Sequence, residues 1–468
     1  MKFLMDFHDF SKLLIKKFSF QPTDDQRNAI ISLSKFLTNT NNEGLYILKG
    51  YAGTGKTSLM ESLANNVKYI NFKICLLAPT GRAAKVLSNY TRKKSYTIHK
   101  KIYYSSVDKF GKFQTTLKLN KIKNTLFIVD EASMISDTLN STDLFKRNSL
   151  LSDIFKYVDF KSNSKVIFLG DTAQLPPVKQ SISPALDSEF ILKTYGIKSM
   201  QFTLSQVVRQ SNFSGILKNA TTIRNNIFDN TLNFEFEIFE DVEILNDGFE
   251  IQEKIESSYN SYGPNNTMII VRSNKRANLY NQQIRKTILS YENIISVGDL
   301  LIITKNNYFW SSESLNISFL ANGDIVEVLE IYSIKELYTF KFAEIKIKLV
   351  DYPEQPVIDT VIILDTLNSD SPNLTYEQSN LLYNEVQKDY SNLKSNYKRF
   401  VKIKENRFFN ALNVKFSYSL TCHKSQGGQW PIVFIEKPYL KDGIDMDYLR
   451  WLYTAVTRSE KKLYLIGF

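Results

Sequence analysis

The amino-acid sequence predicts an α/β protein made of two parallel-sheet units, each with an insertion. Short apolar runs followed by helical patterns recur early in the chain, at residues 45–48, 74–78, 126–129 and 166–169. Similar runs return at residues 268–271, 414–418, 432–435 and 463–466. Alternating strands and helices are typical of parallel sheets, because parallel strands need a crossover connection. We therefore predict one α/β unit over residues 1–185 and a second over residues 186–290 and 412–468.

Two stretches interrupt these units. Residues 102–104 and 113–119 are strand-like and flank Gly111, which predicts a β-hairpin over about residues 100–123 with its tip at 108–111. Residues 291–411 contain β-type runs and the turn pairs 298–299 and 322–323, which predict a small β domain. A capping box at Thr375 and Gln378 and an apolar residue every three or four positions then predict one long amphipathic helix that returns the chain to the second unit.

Composition and charge narrow the class of protein. The chain has 468 residues, of which 43% are hydrophobic, so it can form two or three cores and is neither disordered nor collagen-like. Two cysteines and three histidines are too few for a disulfide framework or a self-sufficient zinc cluster, so we expect a reducing, cytoplasmic compartment. No apolar run reaches the roughly 20 residues that span a bilayer, and Asp6 and Asp9 break the pattern of a signal peptide. We expect a soluble protein without membrane contact.

The positive charge is concentrated in one stretch. The formal net charge is +11, and residues 82–123 contain twelve Lys and Arg side chains but one acid, Asp108. A local strip of cations is typical of proteins that displace counterions from a nucleic-acid backbone. The alternative is a solvated basic face without a ligand.

Residues 50–57 carry the strongest chemical signal. They read Gly-Tyr-Ala-Gly-Thr-Gly-Lys-Thr, which fits the G-x-x-x-x-G-K-[ST] pattern between a strand and a helix. Backbone N–H groups of such a loop point at phosphate oxygens, the lysine neutralises them, and the threonine hydroxyl can hold Mg²⁺. We call residues 50–57 the phosphate loop. The residues predicted to bind the nucleotide there are Gly50, Gly53, Thr54, Gly55, Lys56 and Thr57.

Acidic and basic candidates extend this site. Asp130 and Glu131 leave a buried strand at its carboxyl end, where α/β proteins bind ligands, so Asp130 suits Mg²⁺ and Glu131 suits activation of the attacking water. Arg209 and Arg458 are candidate cations for the γ-phosphate, although each could be an ordinary surface arginine. Since residues 186–468 contain no second phosphate loop, we predict one nucleotide between two units.

Nine short motifs follow one another along the chain: residues 23–26 (TDDQ), 50–57 (GYAGTGKT), 78–84 (APTGRAA), 97–99 (TIH), 130–134 (DEASM), 170–177 (GDTAQLPP), 208–210 (VRQ), 421–427 (TCHKSQG) and 453–458 (YTAVTR). In this order, from Gln26 to Arg458, they resemble superfamily 1 DNA helicases, most closely the RecD-like and Dda-like branch. The resemblance implies two RecA-like domains of the P-loop NTPase type, a strand-separating hairpin around Phe110 and an SH3-like β insertion. It also implies ATP and Mg²⁺ as cofactors and movement 5′ to 3′ on DNA.

The same resemblance implies roles for single residues. Gln26 would read the adenine, Gln174 would sense the γ-phosphate, and Arg209 and Arg458 would act as γ-phosphate fingers. Gln426 would bind the nucleotide and couple the closing movement of the two units to the strand. Read without the family, Gln174 is a polar loop residue before a Pro-Pro turn. The residues implied to contact DNA are Pro79, Thr80, Arg82, His99, Phe110, Thr421, His423, Lys424 and Ser425. Outside the family, His99 would be a buried imidazole and Lys424 a solvated charge.

We therefore expect an ATP-dependent DNA helicase that acts as a monomer on single-stranded DNA and on junctions of single-stranded and duplex DNA, with other repair or replication proteins as further partners. The alternative is an ATP-gated DNA-binding or remodelling subunit of a repair or recombination complex without processive unwinding. An RNA helicase has weaker motif support. A nuclease would need a metal-binding acidic cluster beyond Asp130 and Glu131, and the sequence offers none.

Overall fold

The computed structural model describes residues 5–39, 44–107, 113–137, 149–178, 180–207, 214–307, 309–310, 320–352 and 356–468. The elements of the first unit are α1 (Phe7–Lys16), α2 (Asp24–Thr38), β1 (Leu45–Gly50), α3 (Lys56–Asn66), β2 (Lys73–Ala78), α4 (Gly81–Thr91), β3 (Ser95–Thr97), α5 (Ile98–Ile102), β4 (Tyr103–Val107), β5 (Phe113–Leu117), β6 (Thr125–Val129), α6 (Leu150–Val158), β7 (Lys165–Gly170), α7 (Ser188–Tyr195) and β8 (Ser199–Leu204).

The first unit is a six-stranded parallel sheet in the order β3-β2-β6-β7-β1-β8. Its central strands β6 and β7 are buried along their whole length and apolar except for Thr125 and Lys165 at their first positions, as expected of parallel strands covered on both faces. The strand β8 pairs with β1 in register from Leu45 opposite Ser199 to Gly50 opposite Leu204. The predicted boundary at residue 185 is therefore too early. As an edge strand, β8 is only partly buried, so its sequence lacks the continuous apolar run of the central strands.

The predicted hairpin is present as the antiparallel pair β4 and β5, from Tyr103 opposite Leu117 to Val107 opposite Phe113. The Tyr103 hydroxyl donates to the buried carboxylate of Asp153 at 2.7 Å and so ties the base of the hairpin to α6. The hairpin tip, with Phe110, lies outside the described residues.

The second unit carries the β insertion. The elements are α8 (Gly215–Phe228), β9 (Val242–Leu245), α9 (Gly248–Tyr262), β10 (Thr267–Val271), α10 (Asn274–Gln283), β11 (Leu300–Ile303), β12 (Ile325–Leu337), β13 (Phe340–Leu349), β14 (Ile358–Ile363), α11 (Tyr376–Lys388), α12 (Asn396–Glu405), β15 (Leu412–Phe416), β16 (Ser419–Thr421), α13 (Cys422–Ser425), β17 (Trp430–Glu436), α14 (Met446–Val456) and β18 (Ser459–Ile466). A parallel sheet in the order β16-β10-β17-β18-β9 forms its core. The two parallel sheets confirm the predicted fold class.

The small β domain is a closed five-stranded barrel, β11-β12-β13-β14-β15. Two expectations fail here. Residues 414–418, predicted as a strand of the second unit, are split: residues 414–416 belong to β15, which completes the barrel, and residues 417–418 lead to β16, which begins at Ser419 and joins the sheet. The single return helix is in fact two helices, because Ser395 caps α12 and starts a new helix after a turn.

A buried ion pair attaches the barrel to the second unit. The Arg285 guanidinium donates to both carboxylate oxygens of Asp299, at 2.8 and 2.9 Å. The same carboxylate accepts the Tyr418 hydroxyl at 3.0 Å and the Ser296 N–H at 2.7 Å. A buried pair with its hydrogen bonds satisfied holds a fixed geometry. In the part of the chain that the structure describes, no helix has the length and apolar character needed to cross a bilayer.

Candidate nucleotide site and nucleic-acid surface

The phosphate loop joins β1 to α3, as the sequence predicts. Gly53 and Gly55 have φ angles of +74° and +80°, a region that side chains with a Cβ rarely adopt, so these two positions need glycine. Gly55 is also the N-cap of α3 and supplies no side-chain cap, which leaves the first N–H groups of the helix available to an anion.

Lys56 and Thr54 hold the loop together from within. The Lys56 ammonium donates to the carbonyl oxygens of Gly50 and Tyr51, at 2.5 and 2.9 Å. The buried Thr54 hydroxyl donates to the Tyr51 carbonyl at 2.8 Å, so this side chain shapes the loop and does not line the cavity. A phosphate group would give the ammonium stronger, charge-assisted partners than these carbonyls.

Gln26, in α2, lines a cavity next to the phosphate loop. Its side-chain oxygen accepts the Thr23 N–H at 3.0 Å in a capping box, and its nitrogen donates to the Thr54 carbonyl at 3.0 Å. An amide has four hydrogen-bonding positions, so one N–H and one lone pair remain for an adenine edge. Phe18 and Phe20, which the sequence reasoning did not select, lie beside it in the cavity wall.

A cavity of about 380 Å³ lies between the two units. Nine of the predicted residues line it, namely Gln26, Gly53, Gly55, Lys56, Thr57, Asp130, Glu131, Gln174 and Arg458. Arg458 comes from the second unit and the others from the first. Arg209, the second predicted finger, lies outside the described residues. The cavity therefore joins residues from both ends of the chain.

The two carboxylates at the end of β6 have different surroundings. Asp130 accepts the Tyr90 hydroxyl at 2.8 Å and the Glu131 N–H at 2.9 Å, which fixes its orientation. Glu131 has a φ of +51°, and burial raises the pKa of its carboxyl, while Arg458 and Lys56 lower it and Asp130 raises it further. A raised pKa suits a group that takes a proton from water. Sequence reasoning missed Tyr90, which no motif contains.

Arg458 is fixed in the cavity wall by its own unit. Its guanidinium donates to the Thr454 carbonyl at 2.9 Å, the Gly428 carbonyl at 3.2 Å and the Thr457 hydroxyl at 3.1 Å. The side chain is 3% exposed. Because these three partners are neutral oxygens, they do not offset the positive charge of the guanidinium, which can attract an anionic ligand.

The 171–177 loop of the first unit contacts the second unit directly. The Gln426 amide donates to the Leu175 carbonyl at 2.8 Å, and the Leu175 N–H donates to the Thr454 hydroxyl at 2.8 Å. The neighbouring Gln174 is buried, and its side-chain oxygen finds no hydrogen-bond partner among the described residues. Gln426 thus contacts the loop that carries Gln174 and does not line the cavity.

Tyr453 and Asp171, which the sequence reasoning did not select, complete this contact. The Tyr453 hydroxyl donates to the Asp171 carboxylate at 2.6 Å and accepts the Ala52 N–H of the phosphate loop at 3.0 Å. Tyr453 lies in the motif at residues 453–458 and Asp171 in the motif at residues 170–177, so membership of these motifs was the signal that could have found them. We call the contacts of Gln426, Tyr453 and Thr454 with the first unit the nucleotide seam.

The predicted DNA contacts of the first unit lie at the start of α4 and in α5. The Thr80 hydroxyl caps α4 by accepting the Ala83 N–H at 3.2 Å, Pro79 precedes it half-buried, and His99 is half-buried beside Tyr103. Arg82 has partners in the second unit, and its contact with DNA stays a prediction. Its guanidinium donates to the Gln429 carbonyl at 2.9 Å and stacks 4.0 Å from the Trp430 ring, so in this structure it joins the two units.

The barrel covers part of this surface. The Tyr352 hydroxyl donates to the Gly81 carbonyl at 3.1 Å, Lys85 lies 3.5 Å from Asp351, and Lys100 lies 3.7 Å from Asp324. Both acids are buried, and each has one carboxylate oxygen without a hydrogen-bond partner among the described residues. We call these contacts between the barrel and the first unit the barrel seam.

The predicted contacts of the second unit follow β16. Thr421 and Lys424 are half-buried and His423 is exposed, so these three side chains are accessible. Burial lowers the pKa of Lys424 to about 8. Ser425 corrects its prediction, because its hydroxyl is fully buried and donates to the Cys422 carbonyl at 2.8 Å. That hydroxyl shapes α13 and cannot contact a strand on the surface.

Comparisons with known families agree with this arrangement. Residues 22–235 match a family model described as an AAA domain, and residues 416–466 match the UvrD-like helicase C-terminal domain. The chain is 27% identical to the RecBCD enzyme subunit RecD of Buchnera aphidicola, over 96% of this chain and 74% of that one. It is 25% identical to the ATP-dependent DNA helicase dda of phage T4, over 66% of this chain and 67% of that one.

These matches support a superfamily 1 helicase of the group that includes RecD and Dda. The resemblance inferred from the nine motifs is confirmed. This helicase spans only 21% of the RecD2 DNA helicase of Deinococcus radiodurans, to which it is 30% identical over 38% of its own length. A solved structure of two Pif1 helicases at forked double-stranded DNA is 14% identical, with a TM-score of 0.48 over 95% of this chain and 91% of that one.

Proposed function

We propose that this helicase couples ATP hydrolysis in the cavity between its two units to movement along single-stranded DNA, 5′ to 3′, and to separation of the duplex ahead. The observation that carries the proposal is the convergence of Lys56, Glu131 and Arg458 on one cavity, with Arg458 contributed by the second unit. A site completed by both units is sensitive to their relative position.

The chemistry of the cavity fits phosphoryl transfer to water. Lys56 and the N-terminus of α3 would hold the β- and γ-phosphates, Glu131 would orient the attacking water and accept its proton, and Arg458 would face the charge that develops on the γ-phosphate. The raised pKa of Glu131 supports this assignment. We assign adenine recognition to Gln26 and γ-phosphate sensing to Gln174, whose unpartnered oxygen lies in the cavity wall.

The oxygen donors at the cavity fit Mg²⁺. The Thr57 hydroxyl and the Asp130 carboxylate both line it, and Mg²⁺ prefers hard oxygen ligands with few contributions from protein. When bound, the ion neutralises phosphate oxygens. The hydrogen bond from the Tyr90 hydroxyl fixes the orientation of the Asp130 carboxylate, which supports a role of Asp130 as a Mg²⁺ ligand.

For the DNA we propose two grips on one strand. Pro79, Thr80 and His99 would contact it from the first unit, and Thr421, His423 and Lys424 from the second. If the spacing of the grips changes when the units close on ATP, the protein steps along the strand. The hairpin β4–β5 would separate the strands of the junction, with Phe110 at its tip.

Unwinding assays on matched 5′-tailed and 3′-tailed duplexes test this function. We expect unwinding of the 5′-tailed duplex alone, ATPase that rises many-fold with single-stranded DNA, and loss of both in Lys56→Ala. ATPase without unwinding of either substrate would identify an ATP-gated clamp instead, and unwinding of the 3′-tailed duplex alone would reverse the polarity. Stimulation by RNA but not by DNA would make it an RNA helicase.

A further inference from the structure

The hydroxyl of Tyr453 lies where three functional segments meet. It comes from the last turns of α14 in the second unit, and the ring is 1% exposed. Its two partners, Ala52 and Asp171, belong to the phosphate loop and to the 171–177 loop of the first unit. Tyr453 therefore contacts two of the loops of the first unit that line the nucleotide cavity.

The chemistry of the two hydrogen bonds sets their direction. A backbone N–H can only donate, so the phenol oxygen accepts from Ala52 and its proton is directed to Asp171. Burial and the neighbouring Asp171 raise the pKa of Tyr453 well above its ordinary value, which keeps that proton in place. The other Asp171 oxygen accepts the Ala173 N–H at 2.9 Å, so the carboxylate is held at both ends.

The position of Tyr453 links these loops to the arginine of the second unit. Thr454, the next residue in α14, accepts the Leu175 N–H, and its carbonyl holds the Arg458 guanidinium. When the hydroxyl of Tyr453 engages Ala52 and Asp171, the same short segment places Arg458 against the phosphate loop. If the units separate, the hydrogen bonds and the arginine are lost together.

We propose that Tyr453 is a positioning residue for ATP hydrolysis, which sets Arg458 and the 171–177 loop relative to the phosphate loop through its hydrogen bonds to Ala52 and Asp171. This inference rests on the proposed ATPase function and goes beyond it, because Tyr453 is not among the residues that line the nucleotide cavity and belongs to neither proposed DNA grip. It predicts an effect on turnover and not on affinity, since the ligands of ATP are untouched.

The test is Tyr453→Phe, which removes the hydroxyl and keeps the ring. We expect kcat of the DNA-stimulated ATPase to fall about tenfold with KM for ATP changed less than about twofold, and fewer base pairs to be unwound per ATP. The matched control is Tyr448→Phe, on the same helix, since the buried Tyr448 ring stacks on Trp451 and its hydroxyl has no hydrogen bond among the described residues. The control should keep wild-type kcat, KM and melting temperature.

A double-mutant cycle separates positioning from simple loss of packing. Asp171→Ala removes the acceptor of the Tyr453 proton, so the double variant should be no slower than the worse single variant. Additive effects, or an unchanged kcat in Tyr453→Phe, would overturn the inference while leaving an active wild-type ATPase and the proposed function intact. A wild-type protein without DNA-stimulated ATPase would overturn both.

Discussion

Among the contacts of the first unit with the rest of the described chain, the nucleotide seam and the barrel seam differ in physical character. The nucleotide seam consists of short, directional hydrogen bonds, 2.6 to 3.0 Å long, made by Tyr453, Thr454 and Gln426. The barrel seam consists of one hydrogen bond, from the Tyr352 hydroxyl at 3.1 Å, and two longer ion pairs, at 3.5 and 3.7 Å, in which Asp324 and Asp351 each have one buried oxygen without a partner among the described residues.

This difference predicts which of the two seams breaks first when the first unit moves away from the rest of the protein. Directional hydrogen bonds lose their energy over a few tenths of an ångström, so the nucleotide seam reports small displacements between the units. The acids of both ion pairs are buried, so the cost of removing them from water offsets much of the attraction, and each unsatisfied oxygen costs more, which makes the barrel seam the weaker attachment. Since the barrel is bound to the second unit by the fully satisfied Arg285–Asp299 pair, it should move with that unit.

The largest effect is expected for Glu131→Gln, which tests whether ATP binding or ATP hydrolysis closes the nucleotide seam. Glu131→Gln removes the proton acceptor, so we expect ATP hydrolysis to fall at least about 100-fold while ATP and single-stranded DNA still bind. With ATP the seam should stay closed. Fluorescence transfer between labelled cysteines at the exposed positions Leu192 and Tyr439 measures this closure, because the two native cysteines are buried.

The control for that measurement is Glu189→Gln, on the exposed surface of α7. It should hydrolyse ATP at the wild-type rate and open and close with each turnover. Normal hydrolysis in Glu131→Gln would show that another group takes the proton.

A smaller effect is expected at the barrel seam. The double variant Asp324→Asn/Asp351→Asn keeps the side-chain shapes but removes the carboxylates that Lys85 and Lys100 face. We expect the barrel to move away from the first unit, with a shift of about fivefold in the equilibrium, equivalent to about 1 kcal/mol. Fluorescence transfer between labels at Leu192 and the exposed barrel residue Ile334 reports the change.

The matched control here is Asp359→Asn, whose exposed carboxylate accepts the Tyr332 hydroxyl within the barrel. Asp359→Asn should leave the barrel in place. Neither the double variant nor this control should change the nucleotide seam. A barrel that stays docked without both carboxylates would mean that Tyr352 and its contact with Gly81 hold the seam.

The smallest effect concerns a cation that belongs to neither seam. Burial lowers the pKa of Lys424 to about 8. The charged form, which binds phosphate, is therefore present below that pH and lost as the pH rises through it. We expect affinity for single-stranded DNA to fall about threefold between about pH 7 and 9 at constant ionic strength, measured by fluorescence anisotropy.

Lys424→Arg provides the control, because a guanidinium stays charged over this range. Its affinity should not change with pH. The nearby Lys415, whose pKa burial also lowers to about 8, donates to the Thr366 and Ser369 carbonyls inside the protein. A pH dependence that persists in Lys424→Arg would therefore come from Lys415 and the barrel, and not from a phosphate contact.

Contiguous signals were predictable from the sequence. The phosphate loop needs two glycines with positive φ and a lysine within eight residues, and all of these requirements lie in one stretch of chain. The hairpin strands and the α11 capping box are likewise local and are present. The order of nine motifs then predicted the family correctly.

Contacts between distant segments were not predictable in the same way. The hydrogen bonds of Tyr453 join residues 401 and 282 positions apart, and nothing in a local pattern relates them. The burial of Ser425 and the stacking of Arg82 on Trp430 depend on which side of a short segment faces the core. The split of residues 414–418 depends on closure of the barrel, which a run of apolar residues does not encode.

By itself the sequence determined the phosphate loop, the alternation of strands and helices, and the family, because each depends on residue types at short, regular spacing. Tertiary structure decided which side chains meet across the two seams, which predicted DNA contacts are accessible, and that one tyrosine connects both nucleotide loops. The physical reason is that hydrogen bonds and burial depend on distances in space, which the folded chain sets between residues hundreds of positions apart.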